Sequence, residues 1–377
     1  MKLCIFSNDP IKTYFEKGEI KERYFNPNNI FDHIDVISLT ERDIEEHKVK
    51  ALFGTASFKI HSVGKIGIRK INAKKDKILK LVREIDPDVI RTYNTLTEGW
   101  LAAYCSEKLN IPLFVSVHIQ YDNLRKQYKI SDIRRYLKLK YSEKRIEPYV
   151  LKTATKITAV YKIIDSYVAR LSGKHAEIIY NKIDYDRFAN AMPCLQFDKP
   201  LIISVGRLTR QKHHDVVIRA MRDVDAYLLI IGDGELRNEL QSLVKKLKLD
   251  KKVIFKKSVP NSEIHHYYKS AQVFALAYDT KVEGIPIPIM EAMAAGLPIV
   301  IPHPPKGISD RLDDVAKFVD PNSDTVTKAI NELLSDKAMY QELAKKSKIK
   351  AKEFDAQLIS DKEAMIYISL VNRVTDS

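Results

Sequence analysis

Residues 280–300 read TKVEGIPIPIMEAMAAGLPIV, and they are the most informative part of the chain. The stretch places Glu283 and Glu291 eight positions apart across a glycine–proline loop. It predicts a loop, then a short apolar helix that ends at Gly296, then a β-strand. The first free amides of such a helix carry partial positive charge and suit a phosphate, whereas the acids suit hydroxyl groups. A sugar nucleotide carries both kinds of group, so it is the ligand that this segment predicts.

The composition is that of a globular α/β protein. The chain has 377 residues, of which 45% are hydrophobic and 30% charged, so two domains with separate cores are expected. Strand-like runs alternate with helical patterns, which predicts parallel sheets built from βαβ units. The expected strands are Leu3–Phe6, Asp35–Ser38, Asp88–Arg91, Leu113–His118, Lys156–Val160, Glu177–Tyr180, Leu201–Val205, Tyr227–Ile231, Val253–Phe255, Val273–Ala277, Ile299–Ile301 and Ala316–Val319.

Cysteine usage and the N-terminus point to a cytoplasmic protein. The three cysteines are far apart and have no metal-ligand spacing, which indicates a reducing compartment. The first residues predict a strand rather than a signal peptide, and the longest apolar run contains Glu291 and several prolines, which argues against a membrane span. The formal charge of +14 fits nucleic acid, an anionic membrane or anionic substrates, and it does not choose among them.

Two motifs in the second half resemble one enzyme family. The spacing of Glu283 and Glu291 resembles the E-x7-E signature of retaining glycosyltransferases of family 4 (glycosyl transferases group 1), which have the GT-B fold. The segment ISVGRLTRQKH at 203–213 resembles the V-G-R-L-x-x-x-K segment of the same family. The resemblance is close over 201–302 and reaches only isolated points of the first half.

The resemblance implies an architecture of two facing Rossmann-like domains with a donor cleft between them. Residues 185–200 have no clear periodicity and contain two prolines, so we place the domain junction there. We therefore expect an N-terminal, acceptor-side domain over 1–193 and a nucleotide-sugar-binding domain over 194–356. A C-terminal helix over 357–377 is expected to cross back to the first domain, as it does in that family.

The resemblance also assigns roles to five side chains. Arg207 and Lys212 would bind the donor diphosphate and stabilise its charge as the glycosidic bond breaks. Glu291 would hold the ribose. Glu283 and His118, the latter at the end of a strand, would position the sugar.

Backbone groups complete the predicted donor site. The usual family loop, Glu-Gly-Phe-Gly, is here Glu283-Gly-Ile-Pro, and the prolines at 286 and 288 have no N–H to donate. The remaining amide donors of this loop and helix start are Gly284, Ile285, Ile287 and Ile289.

Further positions in both halves match the family in part. Gly232 would make a tight turn beside the nucleotide, and the backbone at Ser258 and Val259 would contact the base. In the first half, Gly18 matches a loop that approaches the diphosphate, and a glycine there could also simply make a turn. The stretch from Asn181 to Asp184 is expected to be structural. His213 and His214 lack metal-ligand spacing and are expected to pack or to face solvent.

The predicted function is a retaining, metal-independent transfer of a sugar from a UDP- or GDP-sugar to an acceptor hydroxyl, in glycan or glycolipid synthesis, without a cofactor. Asp-x-Asp triplets at 86–88, 184–186 and 223–225 are attributed to chance, so no metal is expected. A nucleotide-sugar 2-epimerase of similar fold is an alternative. A basic nucleic-acid-binding protein is another, but no basic strand with interleaved aromatic residues supports it, and no nucleic acid partner is expected.

Residues 124–145 predict an additional surface. Nine basic against two acidic residues give this segment a charge of +7, and aromatic and aliphatic side chains are interspersed among them. It follows His118 on the acceptor-side domain, so we expect it to place the enzyme peripherally on the inner face of an anionic membrane. The alternative is a solvated helix whose apolar side packs on the first domain.

Overall fold

The computed structural model describes residues 1–18, 20–308, 310 and 312–375. They form two compact units, the first comprising Met1–Tyr180 together with the segment from Ile359, and the second Asn181–Leu358. The units thus divide at 180/181 and 358/359, whereas the sequence placed these divisions at 193/194 and 356/357. The shift at the first division has a physical cause. A short helix over Tyr185–Ala189 buries Phe188 completely, with its ring 5.6 Å from that of Tyr268 in the second unit.

Seven parallel strands form the sheet of the first unit, in the order β3-β2-β1-β4-β5-β6-β7. The inner strand β1 has four consecutive buried residues, as expected for a parallel strand that is covered on both faces. The strands are β1 (Lys2–Phe6), β2 (His33–Ser38), β3 (Ser57–Ser62), β4 (Val89–Thr92), β5 (Leu113–Val117), β6 (Lys156–Ala159) and β7 (Glu177–Ile178).

Helices connect these strands in sequence order. They are α1 (Ile11–Glu16), α2 (Ile71–Ile85), α3 (Thr97–Leu109), α4 (Tyr121–Ser131), α5 (Ile133–Arg145), α6 (Glu147–Thr153) and α7 (Lys162–Ser172). Asp132 separates α4 from α5 and caps α5 by accepting a hydrogen bond from the Arg135 amide at 3.1 Å. The basic segment predicted from the sequence therefore forms a helical pair rather than one helix.

The second unit contains six parallel strands in the order β10-β9-β8-β11-β12-β13. The strands are β8 (Leu201–Val205), β9 (Tyr227–Ile231), β10 (Val253–Lys256), β11 (Val273–Ala275), β12 (Ile299–Pro302) and β13 (Ala316–Val319). The helices are α8 (Tyr185–Ala189), α9 (His214–Ala220), α10 (Arg237–Lys246), α11 (Ile264–Ser270), α12 (Ile287–Ala295), α13 (Ser323–Ser335) and α14 (Lys337–Ala351). Two α/β domains with parallel sheets were predicted, and this prediction is confirmed.

The last helix, α15 (Ala356–Thr375), belongs to the first unit from Ile359 onward and contributes buried residues to its core. Tyr367 is fully buried there, with its ring 4.8 Å from Phe31 and 5.2 Å from Phe114. Glu363, one turn earlier, forms an ion pair of 2.8 Å with the buried Arg91 of β4. In the part of the chain that the structure describes, no helix is both long enough and apolar enough to cross a bilayer.

Candidate functional site

The order of strands in the second unit creates a switch point beside β8. This strand pairs with β9 on one side and with β11 on the other, so the loops that follow β8 and β11 leave the same edge of the sheet. Ligands of open α/β sheets bind at such carboxyl-terminal edges. A hydrogen bond of 2.9 Å from the Asp279 amide to the Gln211 carbonyl joins the two loops. The predicted site residues of both motifs are therefore brought to one place.

Lys212 and Glu283 form an ion pair at this point. The distance from Lys212 Nζ to Glu283 Oε2 is 2.5 Å, and the two side chains are 8% and 28% exposed. The Tyr278 ring lies 6.0 Å from the same ammonium, and its hydroxyl donates a hydrogen bond of 2.7 Å to the Gly284 carbonyl. These contacts hold the loop at Glu283 and at the following residue, Gly284. A buried cation with one carboxylate partner is well placed to exchange that partner for an anionic ligand.

Arg207, the second predicted cation, is in a different environment. It lies two residues after β8, its side chain is exposed, and it forms no ion pair with another described residue. Its carbonyl accepts a hydrogen bond of 2.9 Å from the Thr209 amide, which shapes the loop. Arg207 therefore offers an available positive charge close in sequence to the buried one.

Glu291 has a partner that the sequence did not predict. It lies in the second turn of α12, and the Tyr268 hydroxyl of α11 donates a hydrogen bond of 2.9 Å to its Oε2. Tyr268 is fully buried, and burial together with the neighbouring Glu291 carboxylate raises the pKa of its phenol well above the ordinary value. The two acids of the motif thus have separate partners. The only sequence signal for Tyr268 was its place on the apolar face of a helix, which predicts packing rather than a hydrogen bond.

The backbone donors differ from the prediction at one residue. Pro286 caps α12, and the amide of Ile289 donates to the Pro286 carbonyl at 2.9 Å, so Ile289 was wrongly counted as an available donor. Ile287 begins the helix and is partly exposed, as is Gly284, whereas the Ile285 side chain is buried. Gly284 and Ile287 are therefore the more accessible of the predicted positions.

Gly232 supports the loop that carries Arg207. A Cβ atom at Gly232 would lie 1.9 Å from the Gly206 carbonyl oxygen, so only glycine allows the ends of β8 and β9 to approach this closely. Ser258 and Val259 follow β10, which is the outer strand and lies two strands from β8. Ser258 is exposed and Val259 partly exposed, at a greater distance along the sheet edge than the other predicted residues.

The first unit has a cavity at its own switch point. The strand order reverses around β1, which pairs with β2 and β4, and the cavity of about 190 Å³ lies where the loops after β1, β4 and β5 meet. Its wall combines tyrosines with other hydrogen-bonding side chains, a combination that suits a sugar. The lining residues are Asn8, Asp9, Thr13, Tyr14, Lys17, Tyr24, Tyr93, Asn94, His118, Ile119 and Tyr121.

His118 lines this cavity and directly follows β5. It is partly buried and its ring meets that of Tyr93 edge to face at 5.7 Å. Burial, and secondarily the charge of the nearby Arg91, lowers the pKa of His118 to about 4. The imidazole is therefore neutral at pH 7 and can donate or accept a hydrogen bond without carrying charge.

The remaining predicted positions have conformational roles in the structure. Gly18 follows Lys17 of the cavity wall and has φ +66, a left-handed conformation that favours glycine at the end of α1. Asp184 caps α8 by accepting a hydrogen bond of 3.1 Å from the Arg187 amide, which is the structural role expected for it. Within the described ranges, no three histidine, cysteine, aspartate or glutamate side chains are grouped so that they could hold a metal ion.

Comparison with known proteins accounts for both units. The family model described as Glycosyltransferase Family 4 matches residues 33–187, and that described as Glycosyl transferases group 1 matches residues 194–350. The chain belongs to the group 1, family 4 glycosyltransferases. The predicted family is thereby confirmed.

Relatives of this chain include enzymes with lipid-linked substrates in their names. The chain is 29% identical over 204 residues to N-acetylgalactosamine-N,N'-diacetylbacillosaminyl-diphospho-undecaprenol 4-alpha-N-acetylgalactosaminyltransferase of Campylobacter jejuni, covering 52% of this chain and 54% of that protein. It is 30% identical to the GDP-mannose-dependent alpha-(1-6)-phosphatidylinositol monomannoside mannosyltransferase of Mycolicibacterium smegmatis, covering 37% and 40%. The chain spans about half the length of the curated relatives it matches.

Solved structures share the fold of this chain over 98% of its length. The Anabaena protein HepE in complex with UDP has a TM-score of 0.72 at 16% identity, covering 98% of this chain and 100% of that one. HepE has also been solved in complex with UDP-glucose. At this identity the likeness establishes the fold alone, and it confirms the predicted GT-B class.

Proposed function

We propose that the chain is a retaining glycosyltransferase that moves a sugar from a nucleotide-sugar donor to an acceptor hydroxyl. The observation that carries this proposal is the pairing of Lys212 with Glu283 at the β8–β11 switch point, beside the exposed Arg207. These are the charges that a donor with a diphosphate and a sugar requires. The complexes of the fold relative HepE with UDP and UDP-glucose support the same class of donor.

The two cations support a transfer that needs no metal ion. As the bond between the sugar and the diphosphate breaks, negative charge grows on the leaving diphosphate, and fixed positive charges stabilise that charge in the transition state. Lys212 is already fixed by its buried position, and Arg207 is available from the loop. In the proposed mechanism the departing diphosphate helps to deprotonate the acceptor hydroxyl on the same face of the sugar, which retains the configuration.

The remaining residues are assigned to the hydroxyl groups of the ligands. Glu291, held by Tyr268, accepts hydrogen bonds from the ribose of the nucleotide. Glu283 positions the donor sugar through its hydroxyls. The cavity that contains His118 binds sugar in the first unit, where the neutral imidazole and the tyrosines supply hydrogen bonds and apolar contact.

We also propose that the acceptor is lipid-linked and that the helical pair α4–α5 lies on the surface of the membrane. Four large apolar side chains are exposed on this pair, with Ile130 at 94%, Ile133 at 58%, Leu137 at 60% and Tyr141 at 54%. The last three are spaced four residues apart and share one face of α5. This exposure opposes the alternative of an apolar side packed on the first domain, because these residues would then be buried.

Positive charges surround the exposed apolar residues. Each cation near an anionic bilayer contributes on the order of 1 kcal/mol, so several together bind the surface reversibly. The inner side of α4 is anchored instead, because the buried Arg125 pairs with the fully buried Glu147 at 2.8 Å. The exposed basic residues are Lys126, Lys129, Arg134, Arg135, Lys138, Lys144 and Arg145.

The transfer reaction is tested by measuring release of UDP and GDP from a panel of nucleotide sugars, with and without undecaprenyl-diphosphate-linked and phosphatidylinositol-linked acceptors. Release that depends on an acceptor, with the anomeric configuration of the product retained, supports the proposal. Release of a free epimerised sugar without any acceptor would favour the epimerase alternative instead.

The membrane surface is tested by sedimentation with vesicles. The wild-type chain is expected to sediment with anionic vesicles at low salt, less so at high salt, and not with neutral vesicles. The double variant Arg134→Gln/Arg135→Gln should lose most of this binding. Its matched control, Lys245→Gln/Lys246→Gln on α10, removes the same charge from exposed positions in the second unit and should keep it. Equal, negligible binding of the wild type to both kinds of vesicle would contradict the proposal.

A further inference from the structure

His214 is a buried polar residue next to the proposed diphosphate site, where the sequence predicted only packing or solvent contact. It is the first residue of α9 and is 2% exposed. Its Nδ1 lies 3.1 Å from the hydroxyl oxygen of Ser204, which is fully buried at the end of β8. One nitrogen of the imidazole is thus held from below by the strand that leads into the Arg207 loop.

The other nitrogen faces the loop. His214 Nε2 is buried and lies beside the backbone of Gly206 and Arg207 without completing a hydrogen bond, and it has no other partner within the described residues. A Cβ atom at Gly206 would lie 3.6 Å from this nitrogen and 3.6 Å from Lys212 Cδ. The imidazole and the Lys212 side chain therefore border the same space, which the glycine leaves open.

The protonation of the imidazole follows from its surroundings. Burial, and secondarily the Lys212 charge, lowers the pKa of His214 to about 4, so the ring is neutral at pH 7 and carries one hydrogen. The 3.1 Å contact allows the Ser204 hydroxyl to donate its hydrogen to Nδ1, and in that tautomer the ring hydrogen lies on Nε2. The Nε2–H then points from the protein interior to the loop between β8 and Lys212.

We infer that His214 is a positioning residue for diphosphate binding, whose Nε2–H completes a hydrogen bond to the backbone of Gly206 and Arg207 when a diphosphate is bound. The bond then fixes the loop that presents Arg207 and borders Lys212. Hydrogen bonds in binding sites are often poorly aligned until the ligand is in place, which agrees with the position of Nε2 beside the loop. This inference rests on the proposed nucleotide-sugar donor and adds a residue to its site.

The test compares binding of UDP, GDP and the matching nucleosides by titration calorimetry. His214→Leu should weaken the diphosphates about tenfold, the size of one lost hydrogen bond, and leave uridine or guanosine binding unchanged. His214→Gln, which retains a side-chain N–H, should recover most of the loss. Ser204→Ala, which lets the ring hydrogen move to Nδ1, should give an intermediate loss. The control is His213→Asn, because His213 is adjacent, partly exposed and at φ +46, a conformation that asparagine tolerates.

The possible results distinguish failure of this inference from failure of the proposed function on which it rests. If the wild type binds UDP or GDP and His214→Leu binds it equally well, the inference is wrong and the proposed function stands. If His214→Leu weakens nucleoside and nucleoside diphosphate alike, His214 has a general structural role and the inference is also wrong. If the wild type binds neither diphosphate, the proposed donor is wrong and the inference fails with it. If His214→Leu does not fold, Ser204→Ala decides: weaker binding of the diphosphates with unchanged nucleoside binding supports the inference, and unchanged binding of both overturns it.

Discussion

Substitution of either residue of the ion pair between Lys212 and Glu283 should change nucleotide affinity, but in opposite directions. Lys212 is the cation that a donor diphosphate would contact, and Glu283, 2.5 Å away, is the carboxylate closest to it. Glu283→Gln removes a negative charge beside the proposed phosphate position but keeps the shape of the side chain. Lys212→Ala removes the positive charge. We therefore expect Glu283→Gln to tighten binding of UDP or GDP and Lys212→Ala to weaken it.

The magnitude follows from the geometry of the pair. Two unit charges about 5 Å apart interact by about 3 kcal/mol at an effective dielectric constant of about 20. Glu283 is 28% exposed, so solvent screens part of this energy and about 1–2 kcal/mol remains. That corresponds to about 5–30-fold tighter binding for Glu283→Gln and a loss of similar size for Lys212→Ala. Turnover should fall in both variants, because Glu283 positions the sugar and Lys212 stabilises charge that grows toward the transition state.

Titration calorimetry with UDP and GDP measures the effect, and a thermal melt of each variant checks folding. Asp225→Asn is the matched control, since Asp225 is also a carboxylate paired with a lysine in the second unit, Lys199 at 2.6 Å, and it precedes β9 at the opposite edge of the sheet. It should leave nucleotide binding unchanged. Weaker binding in Glu283→Gln, comparable to that in Lys212→Ala, would show that Glu283 contacts the nucleotide directly and would refute the electrostatic reasoning.

Glu291→Gln should weaken donor binding by about 1.5–3 kcal/mol, and Tyr268→Phe by about 1 kcal/mol, with both proteins folded; unchanged calorimetric affinities would make Glu291 an ordinary helix residue. Activity should persist in EDTA, and activity that vanished and returned with manganese would disprove the metal-free mechanism. His118 and His214 have pKa values lowered to about 4, so between pH 6.5 and 4 the unfolded chain binds more protons than the folded chain. The free energy of unfolding should therefore fall as the pH falls through that window, by up to about 3 kcal/mol for each group. Urea unfolding at pH 7, 5.5 and 4 measures this, and His214→Leu should reduce the dependence.

Periodicity predicted most of the fold, and the exceptions have local causes. All twelve strands expected from the sequence have a counterpart in the structure. The strand that was missed, β3, reads SFKIHS and lies at the edge of the first sheet, where the burial pattern is only partial. An edge strand with Lys59 and His61 lacks the continuous apolar run that identifies the buried strands of a parallel sheet. The short helix α8 was missed because five residues are too few to show a period.

The sequence motifs named residues of the candidate site but not the contacts between them. The motifs named Lys212 and Glu283, and the structure brings them together across a separation of 71 residues because β8 and β11 are neighbours in the sheet. That adjacency depends on strand order, which a local pattern does not specify. The partners Tyr268 and Ser204 were missed for the same reason. Each lies on a regular helix or strand, where a single sequence predicts burial and says nothing about the hydrogen bond it forms.

The different environments of the two cations explain why, among the described residues, Lys212 has an ionic partner and Arg207 has none. Arg207 is exposed and keeps its charge in water at little cost. Lys212 is nearly buried, and an ammonium in that position without a counter-charge would strongly destabilise the folded protein. The Glu283 carboxylate supplies this counter-charge and so allows the lysine to be buried under the loop. A bound diphosphate can take over this neutralising role from Glu283, which frees the acid to contact the sugar. Under the proposed function, one ion pair therefore serves the folded protein and supplies both a phosphate-binding and a sugar-binding group when the donor arrives.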